Sequence, residues 1–250
     1  MRTETKACRY GKMEYLPNDI YQGRALGIYG EWAEGEMAIF REVLRPGDVA
    51  ADVGANIGSL TLGMAQVVGP NGAVHAFEPQ PELYEILCRN IALNGLAHVV
   101  AHREAAGAAP GAIRVPAADY DKPGNFGGVA LGGEQGAEVR VVTIDSLGLP
   151  RLRLLKADVE GMEADVLAGA RETIQRLSPA LYVENDRPDK SEALIALILD
   201  LGYRCGGTSR RCSIPRISSG KSRTSFPVSY PATCWLCRAQ QKPRWCCRRS

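Results

Sequence analysis

Apolar positions along the first half of the chain change period in a regular order. Residues 34–45 place Met37, Phe40, Val43 and Leu44 at helical spacing, and Pro46-Gly47 ends the run. Residues 48–53 are short and mostly apolar, as a buried strand requires, and lead into a glycine turn. A helix is predicted over 58–68, closed by Gly69-Pro70-Asn71-Gly72, and a second strand over 73–77, ending at Glu78-Pro79. Residues 81–94 read as an amphipathic helix, with Pro81 in its first turn and Gly95 just past its end. A third strand covers 98–104.

This alternation predicts an α/β, Rossmann-like fold with a doubly wound, mostly parallel sheet. Residues 107–137, rich in Gly, Pro and Ala, interrupt it and read as an insertion beside the active site. Strands are then expected over 138–144, 152–158 and 180–184, with helices over 163–177 and 191–201. After Gly202-Tyr203 the alternation stops, where a strand pair is expected to finish the sheet. The C-terminal strands are therefore read as missing, which leaves an apolar sheet edge exposed.

A chain of 250 residues, 45% hydrophobic and 23% charged, is long enough to bury a substantial core. Residues 1–19 hold no apolar signal segment and no run reaches a membrane span, so a cytoplasmic protein without a membrane partner is expected. Charge divides the chain. Residues 201–250 carry 11 Lys/Arg and no acid, whereas residues 1–200 carry 19 Lys/Arg and 28 Asp/Glu. Six of the 8 cysteines also fall after residue 204; Cys8 and Cys88 alone lie before it, as a reducing compartment allows. The expected organisation is an extension over 1–33, a ligand-binding domain over 34–204, and a basic, Cys-rich tail over 205–250.

The first candidate site is the turn Asp52-Val53-Gly54-Ala55-Asn56-Ile57-Gly58. A strand entering a glycine turn and then a helix offers backbone N–H groups and a close approach for a ligand. Glu78 ends the next strand, 20 residues after Gly58, where a carboxylate can accept hydrogen bonds from both hydroxyls of a ribose. A dinucleotide fingerprint laid from Gly54 needs glycines where this chain has Asn56 and Ser59, whose side chains crowd a pyrophosphate. S-adenosylmethionine (SAM) has no pyrophosphate, and it is the cofactor these residues favour. The plainer alternative, a tight turn with a surface Glu, leaves Asn56 unexplained.

The text DVGANIGSLTL, AFEPQPELYEILCRNIALNG, TIDSL and LLKADVEGMEADVLAGARETIQRLSPALYVEND resembles the FkbM-type SAM-dependent methyltransferases over about residues 30 to 203. The resemblance implies a class I SAM-dependent methyltransferase fold. It implies that Gly54, Asn56 and Gly58 line the methionine half of SAM, that Glu78 holds the ribose, and that Glu104 and Ala105 flank the adenine. It also implies O-methylation of a hydroxyl on a small-molecule acceptor, a carbohydrate or other secondary metabolite.

The second candidate site is Lys156-Ala157-Asp158-Val159-Glu160-Gly161-Met162-Glu163. Asp158 stands at the carboxyl end of a strand, where open α/β sheets bind ligands. Methyl transfer needs in-line alignment first and a base for the hydroxyl proton second. Asp158 is read as a contact to SAM or acceptor, Glu160 as a candidate base, and Lys156 as a third candidate catalytic group. An ordinary Lys156–Glu163 ion pair at the strand–helix junction is an equal alternative. A divalent metal held by Asp158, Glu184 and Asn185, at the ends of neighbouring strands, is a further one.

Within the insertion, Asn125 is a candidate hydrogen-bond partner for the acceptor and Phe126 a candidate water excluder. The alternative is a flexible surface loop. His75, His98 and His102 have no companions at ligand spacing and read as structural. In the tail, Cys234-x-x-Cys237 with Cys246-Cys247 hints at zinc, but the second pair lacks the usual spacing. The charge with Trp235 and Trp245 hints at nucleic acid. A third reading accounts for the missing strand as well: back-translated from Cys205 in another frame, the message permits an ordinary protein segment. A frameshift near residue 205 is the expectation, with a poorly ordered tail. SAM contacts fall before residue 160, so binding is expected to outlast turnover. The rivals to a working O-methyltransferase are an inactive SAM-binding remnant and a nucleic-acid methyltransferase.

Overall fold

The computed structural model describes residues 1–207 and 234–239. Strands β1 (Glu4–Cys8) and β2 (Gly11–Tyr15) form an antiparallel hairpin, followed by α1 (Gln22–Tyr29) and α2 (Glu34–Val43). The alternating core follows as β3 (Val49–Val53), α3 (Ser59–Val68), β4 (Ala73–Phe77), α4 (Pro81–Leu93) and β5 (Val99–His102). Three short strands, β6 (Ala105–Ala106), β7 (Gly111–Val115) and β8 (Ala137–Val142), make a separate sheet. The chain then returns through β9 (Leu154–Ala157), α5 (Glu163–Ala168), α6 (Arg171–Leu177), β10 (Ala180–Glu184) and α7 (Pro188–Asp200) to β11 (Tyr203–Gly207) and β12 (Cys234–Ala239).

The main sheet has the order β11-β12-β10-β9-β3-β4-β5. Strands β5, β4, β3, β9 and β10 are parallel, and β12 runs antiparallel to both β10 and β11. Strand residues alternate between two cores, as a period of two dictates. Ala50, Val74, Leu154 and Tyr182 pack against α2, α3 and α4, whereas Ala51, Val53, Leu155 and Leu181 pack against α5, α6 and α7. From β3 the chain winds outward through β4 to β5, and from β9 the other way to β10. The direction of winding therefore reverses between β3 and β9, where ligands bind in sheets of this kind.

Three expectations are corrected. First, the sheet is not left without C-terminal strands: β12 pairs with the edge of β10, and β11 pairs with β12. The end of the βαβ alternation excluded another parallel crossover but not an antiparallel return, which needs no helix. Residues 208–233 and 240–250, including Trp245, Cys246 and Cys247, lie outside the described residues. Second, the strand expected over 138–144 joins β6 and β7 in the small sheet, and β7 lies inside what was read as a plain insertion. Third, the helix expected over 163–177 breaks between α5 and α6. The break holds Gly169, where a Cβ would stand 2.0 Å from the Gly107 carbonyl oxygen, so only glycine fits this close approach. The N-terminal extension forms the β1–β2 hairpin and α1. Among the described residues no helix is long and apolar enough to cross a membrane.

The hairpin is fastened by Asn90 of α4 and by Asn94, the residue just past its end. Asn90 Oδ1 accepts the Glu14 N–H at 2.6 Å, and its Nδ2 donates to the Glu14 carbonyl at 2.9 Å and the Ile57 carbonyl at 2.8 Å. Asn94 repeats the arrangement with the N–H and carbonyl of Lys12. Asn90 is fully buried, so Asn90→Ala leaves buried backbone groups unpaired on two segments. The expected loss is about 3 kcal/mol, read from urea unfolding, with Asn94→Ala costing less because its bonds are exposed. Equal losses at the two positions would contradict the assignment.

Candidate active site

The turn after β3 takes backbone conformations that favour glycine: φ is +82° at Gly54, +52° at Asn56 and +92° at Gly58. A Cβ on Gly54 would stand 1.8 Å from the Asp158 carbonyl oxygen, so the loops after β3 and β9 touch at the switch point. From Gly54 to Gly58 every backbone N–H is already used. Gly54 and Ala55 donate to the Phe77 carbonyl at 3.1 and 2.9 Å, and Gly58 donates to the Ala55 carbonyl at 2.9 Å. Asn56 donates to Glu78 Oε2 at 2.8 Å and Ile57 to Asn56 Oδ1 at 2.7 Å. This corrects the expectation that these amides await a ligand. A pyrophosphate finds no free donor in this stretch, which strengthens the case against a dinucleotide.

Glu78 is buried, and its two oxygens hold the Asn56 and Gln80 N–H groups at 2.8 Å each. Burial pushes its pKa up to about 7, against the pull of those two bonds. Each oxygen keeps a second lone pair for a ligand hydroxyl. Behind it, Gly54, Glu104, Ala105, Leu131, Val159 and Met162 line a slot of about 10 Å³, room for one water. Glu104 also pairs with Arg140 at 3.4 Å and His102 at 3.7 Å. Ala55 is buried beneath the turn.

Asp52 and Lys156 are both buried. Lys156, 2% exposed, stands 3.1 Å from Asp52 Oδ1 and 3.7 Å from Asp158 Oδ2, and donates to the Gly54 carbonyl at 2.8 Å. Asp52 also accepts from the Thr61 hydroxyl at 2.6 Å. Burial alone would favour a neutral amine, but Asp52 and then Asp158 outweigh it and hold the Lys156 pKa above its ordinary value. Lys156 is therefore a charged tie between the two loops. The Lys156–Glu163 pairing is corrected. Glu163 instead accepts the Val159 and Gly161 N–H groups at 3.1 Å each, capping the turn into α5.

Asp158, Glu160 and Glu184 come together at the mouth of the sheet. Glu160 sits in the left-handed region at φ +56° and is bonded by Arg187. Burial, then Asp158, pushes the pKa of Glu160 up to about 7 and that of Glu184 up to about 10. Asn185 Nδ2 donates to Ser191 Oγ at 2.8 Å. One acid escaped the sequence reading. Glu36, at the start of α2, keeps some exposure as a residue, but its carboxyl loses solvent beside Asp158 and its pKa rises to about 8. In the sequence it looks like an ordinary first-turn acid, and only the docking of α2 over β9 reveals it.

The insertion folds onto the turn. A Cβ on Gly127 would stand 2.4 Å from Asn56 Nδ2, and Gln80 Nε2 donates to the Phe126 carbonyl at 2.8 Å. Phe126 is buried against Tyr120, with ring centroids 4.8 Å apart. Asn125 is exposed, and its Oδ1 accepts the Gly128 N–H at 3.1 Å.

A parallel sheet with its switch point beside a glycine turn and an acid on the next strand has the Rossmann-like, class I SAM-dependent methyltransferase fold. The chain belongs to the FkbM methyltransferase family, whose domain matches residues 52–205. Methyltransferase sdnD of Sordaria araneosa is 31% identical over 188 residues, which cover 61% of this chain and 72% of that protein. The 31-O-demethyl-FK506 methyltransferase FkbM of Streptomyces tacrolimicus is 48% identical over 80 residues, 32% of this chain and 26% of that one. A crystal structure of methyltransferase FkbM from Methylobacillus flagellatus KT superimposes with a TM-score of 0.52 at 21% identity, over 81% of this chain and 50% of that chain. This chain therefore spans half the length of that crystallised protein.

Proposed function

We propose that the chain binds SAM across the β3–β9 switch point and transfers its methyl group to a hydroxyl oxygen of a sugar or other secondary metabolite. The observation that carries this reading is the contact of the Gly54 and Asp158 loops, with the Glu78 carboxylate beside it. Gly54, Asn56 and Gly58 take the methionine half of SAM, Glu78 the ribose, and Glu104 with Ala105 the adenine. Asp158 contacts SAM or the acceptor. Bound SAM would supply the methyl group for the acceptor oxygen, and Glu160 is the residue placed to take the hydroxyl proton. A pKa raised to about 7 suits a base working near neutral pH. An oxygen acceptor draws support from the Streptomyces relative, whose name specifies an O-demethyl substrate. Asn125 and Phe126 belong to the acceptor wall.

Titration calorimetry with SAM tests the cofactor half, and release of S-adenosylhomocysteine with sugar and polyketide acceptors tests the rest. One SAM per chain is expected; failure to bind at millimolar SAM would overturn the reading.

A second reading rests on a separate observation. The family match ends at residue 205, where acidic residues disappear and cysteines accumulate. A domain over 34–204 followed by a frame-shifted tail accounts for both, and such a chain binds SAM without turning over. Sequencing the coding DNA decides it: a stop or unrelated text in the alternative frame ends the idea.

A further inference from the structure

Two histidines 27 residues apart in sequence meet on one face of the sheet, behind the slot beside Glu78. The β4–β5 register sets Phe77 opposite His102, and His75, two residues before Phe77, shares their face. His75 Nδ1 and His102 Nε2 stand 3.2 Å apart, with ring centroids 5.5 Å apart and planes at 22°. The nitrogens thus lie almost on the line between the centroids, and the rings meet edge to edge, as a hydrogen bond requires. His102 also stacks on Phe77, with centroids 4.3 Å apart and planes at 8°. Phe77 lines the slot together with Glu104 and Ala105. On its far side, His102 Nδ1 lies 3.7 Å from Glu104 Oε2.

Burial lowers the pKa of both histidines, so near pH 7 each ring is neutral and carries one N–H. Only one pairing of tautomers suits the surroundings. A His102 proton on Nε2 would leave the Nδ1 lone pair facing the Glu104 carboxylate, acceptor against acceptor. With His75 Nδ1 donating to His102 Nε2, the His102 proton sits on Nδ1 and faces Glu104. A distance of 3.7 Å is too long for a hydrogen bond, and closure by about half an ångström makes one. Arg140 also pairs with Glu104, at 3.4 Å, but its side chain is 73% exposed and solvent screens it. Of these two partners, only His102 is shielded from water.

We propose that His102, held in this tautomer by His75, is a positioning residue that aims the Glu104 carboxylate at the exocyclic amino group of adenine. The proposal rests on the SAM reading above. An ionised carboxylate only accepts hydrogen bonds, so it suits the adenine amino group, which donates. It opposes the carbonyl oxygen that hypoxanthine carries at the same place. Glu104 is then the residue that tells the two bases apart, and His102 sets the direction in which it does so. His102 acts through Glu104 and not by a contact of its own, since Phe77 lines the slot and His102 stacks behind it.

The test compares S-adenosylhomocysteine with S-inosylhomocysteine as ligands of the full chain, by titration calorimetry at pH 7.5. The wild type is expected to favour the adenosyl ligand at least about tenfold. His102→Phe keeps the ring stack on Phe77 and removes the N–H, and should cut that preference to about threefold or less. His102→Asn, whose amide nitrogen reaches the place of Nδ1, should restore most of it. A His102→Phe variant that weakens both ligands alike, or neither, leaves the preference intact and overturns the proposal. Failure of His102→Asn to restore the preference overturns it as well, since the N–H is then not what matters. A wild type that binds both ligands equally also overturns it, because Glu104 then does not read the base. If neither ligand binds at millimolar concentration, the SAM reading itself falls and the positioning role with it.

Discussion

Glu78→Gln is expected to weaken SAM binding by about 2–3 kcal/mol, about 30- to 150-fold, and to flatten its pH dependence. Glu78 is buried, holds the Asn56 and Gln80 amides, and has its pKa raised to about 7. An acid raised above its unfolded value of about 4.5 favours the fold fully when protonated. That contribution is complete below pH 4.5 and is lost as pH rises through 7, about 3 kcal/mol across the window for this group. Ribose hydroxyls act in the opposite sense, because they donate to the carboxylate and favour its ionised form. SAM affinity should therefore climb with pH up to about 7, by about tenfold per unit at the steepest, then level off. The unliganded protein should lose thermal stability over the same range. Calorimetry between pH 5.5 and 8.5 reads the first and a melting series the second. A Gln variant that keeps the wild-type pH profile would assign the dependence to another group, and Glu78 would not be the ribose acid.

Why the turn and Glu78 were legible, and their neighbours were not, follows from sequence distance. The strand over 48–53 declares itself because it is buried on both faces and reads as a short apolar run, and that over 73–77 because it is short, mostly apolar and bounded by turns. Their loops carry glycines whose conformation few other residues adopt. By contrast, β1 and β2 are half-exposed, and their partners Asn90 and Asn94 lie more than 70 residues away. No local pattern marks such an attachment. Strand β12 escaped for a similar reason, since what makes it a strand is the open edge of β10. The acids show the limit most sharply. Asp158 and Glu160 stand in a recognisable segment, whereas Glu36 reaches the same site from a different helix. Nor does the sequence show the nearest partner of Lys156, because Asp52 lies on another strand.

That buried pair defines the second large effect. Lys156→Met should destabilise the protein by about 3–5 kcal/mol, because it strands the buried Asp52 charge without a counterion. Lys156 is also the donor to the Gly54 carbonyl, so the loss falls on the turn that places SAM. Removing both charges should cost much less than removing one: Lys156→Met with Asp52→Asn is expected to recover a large part of the stability. The Thr61 hydroxyl can still bond the asparagine, which keeps the α3 end of the network satisfied. SAM affinity should not recover in parallel, since the double variant still lacks the ammonium that holds Gly54 against the β9 loop. Urea unfolding of the single and double variants, with SAM calorimetry on each, separates the two contributions. If Lys156 acted instead as an exposed catalytic amine, Lys156→Met would abolish turnover while leaving stability within about 0.5 kcal/mol. The burial of both side chains points to the opposite order: the fold is lost first, and chemistry fails because the turn no longer has its support.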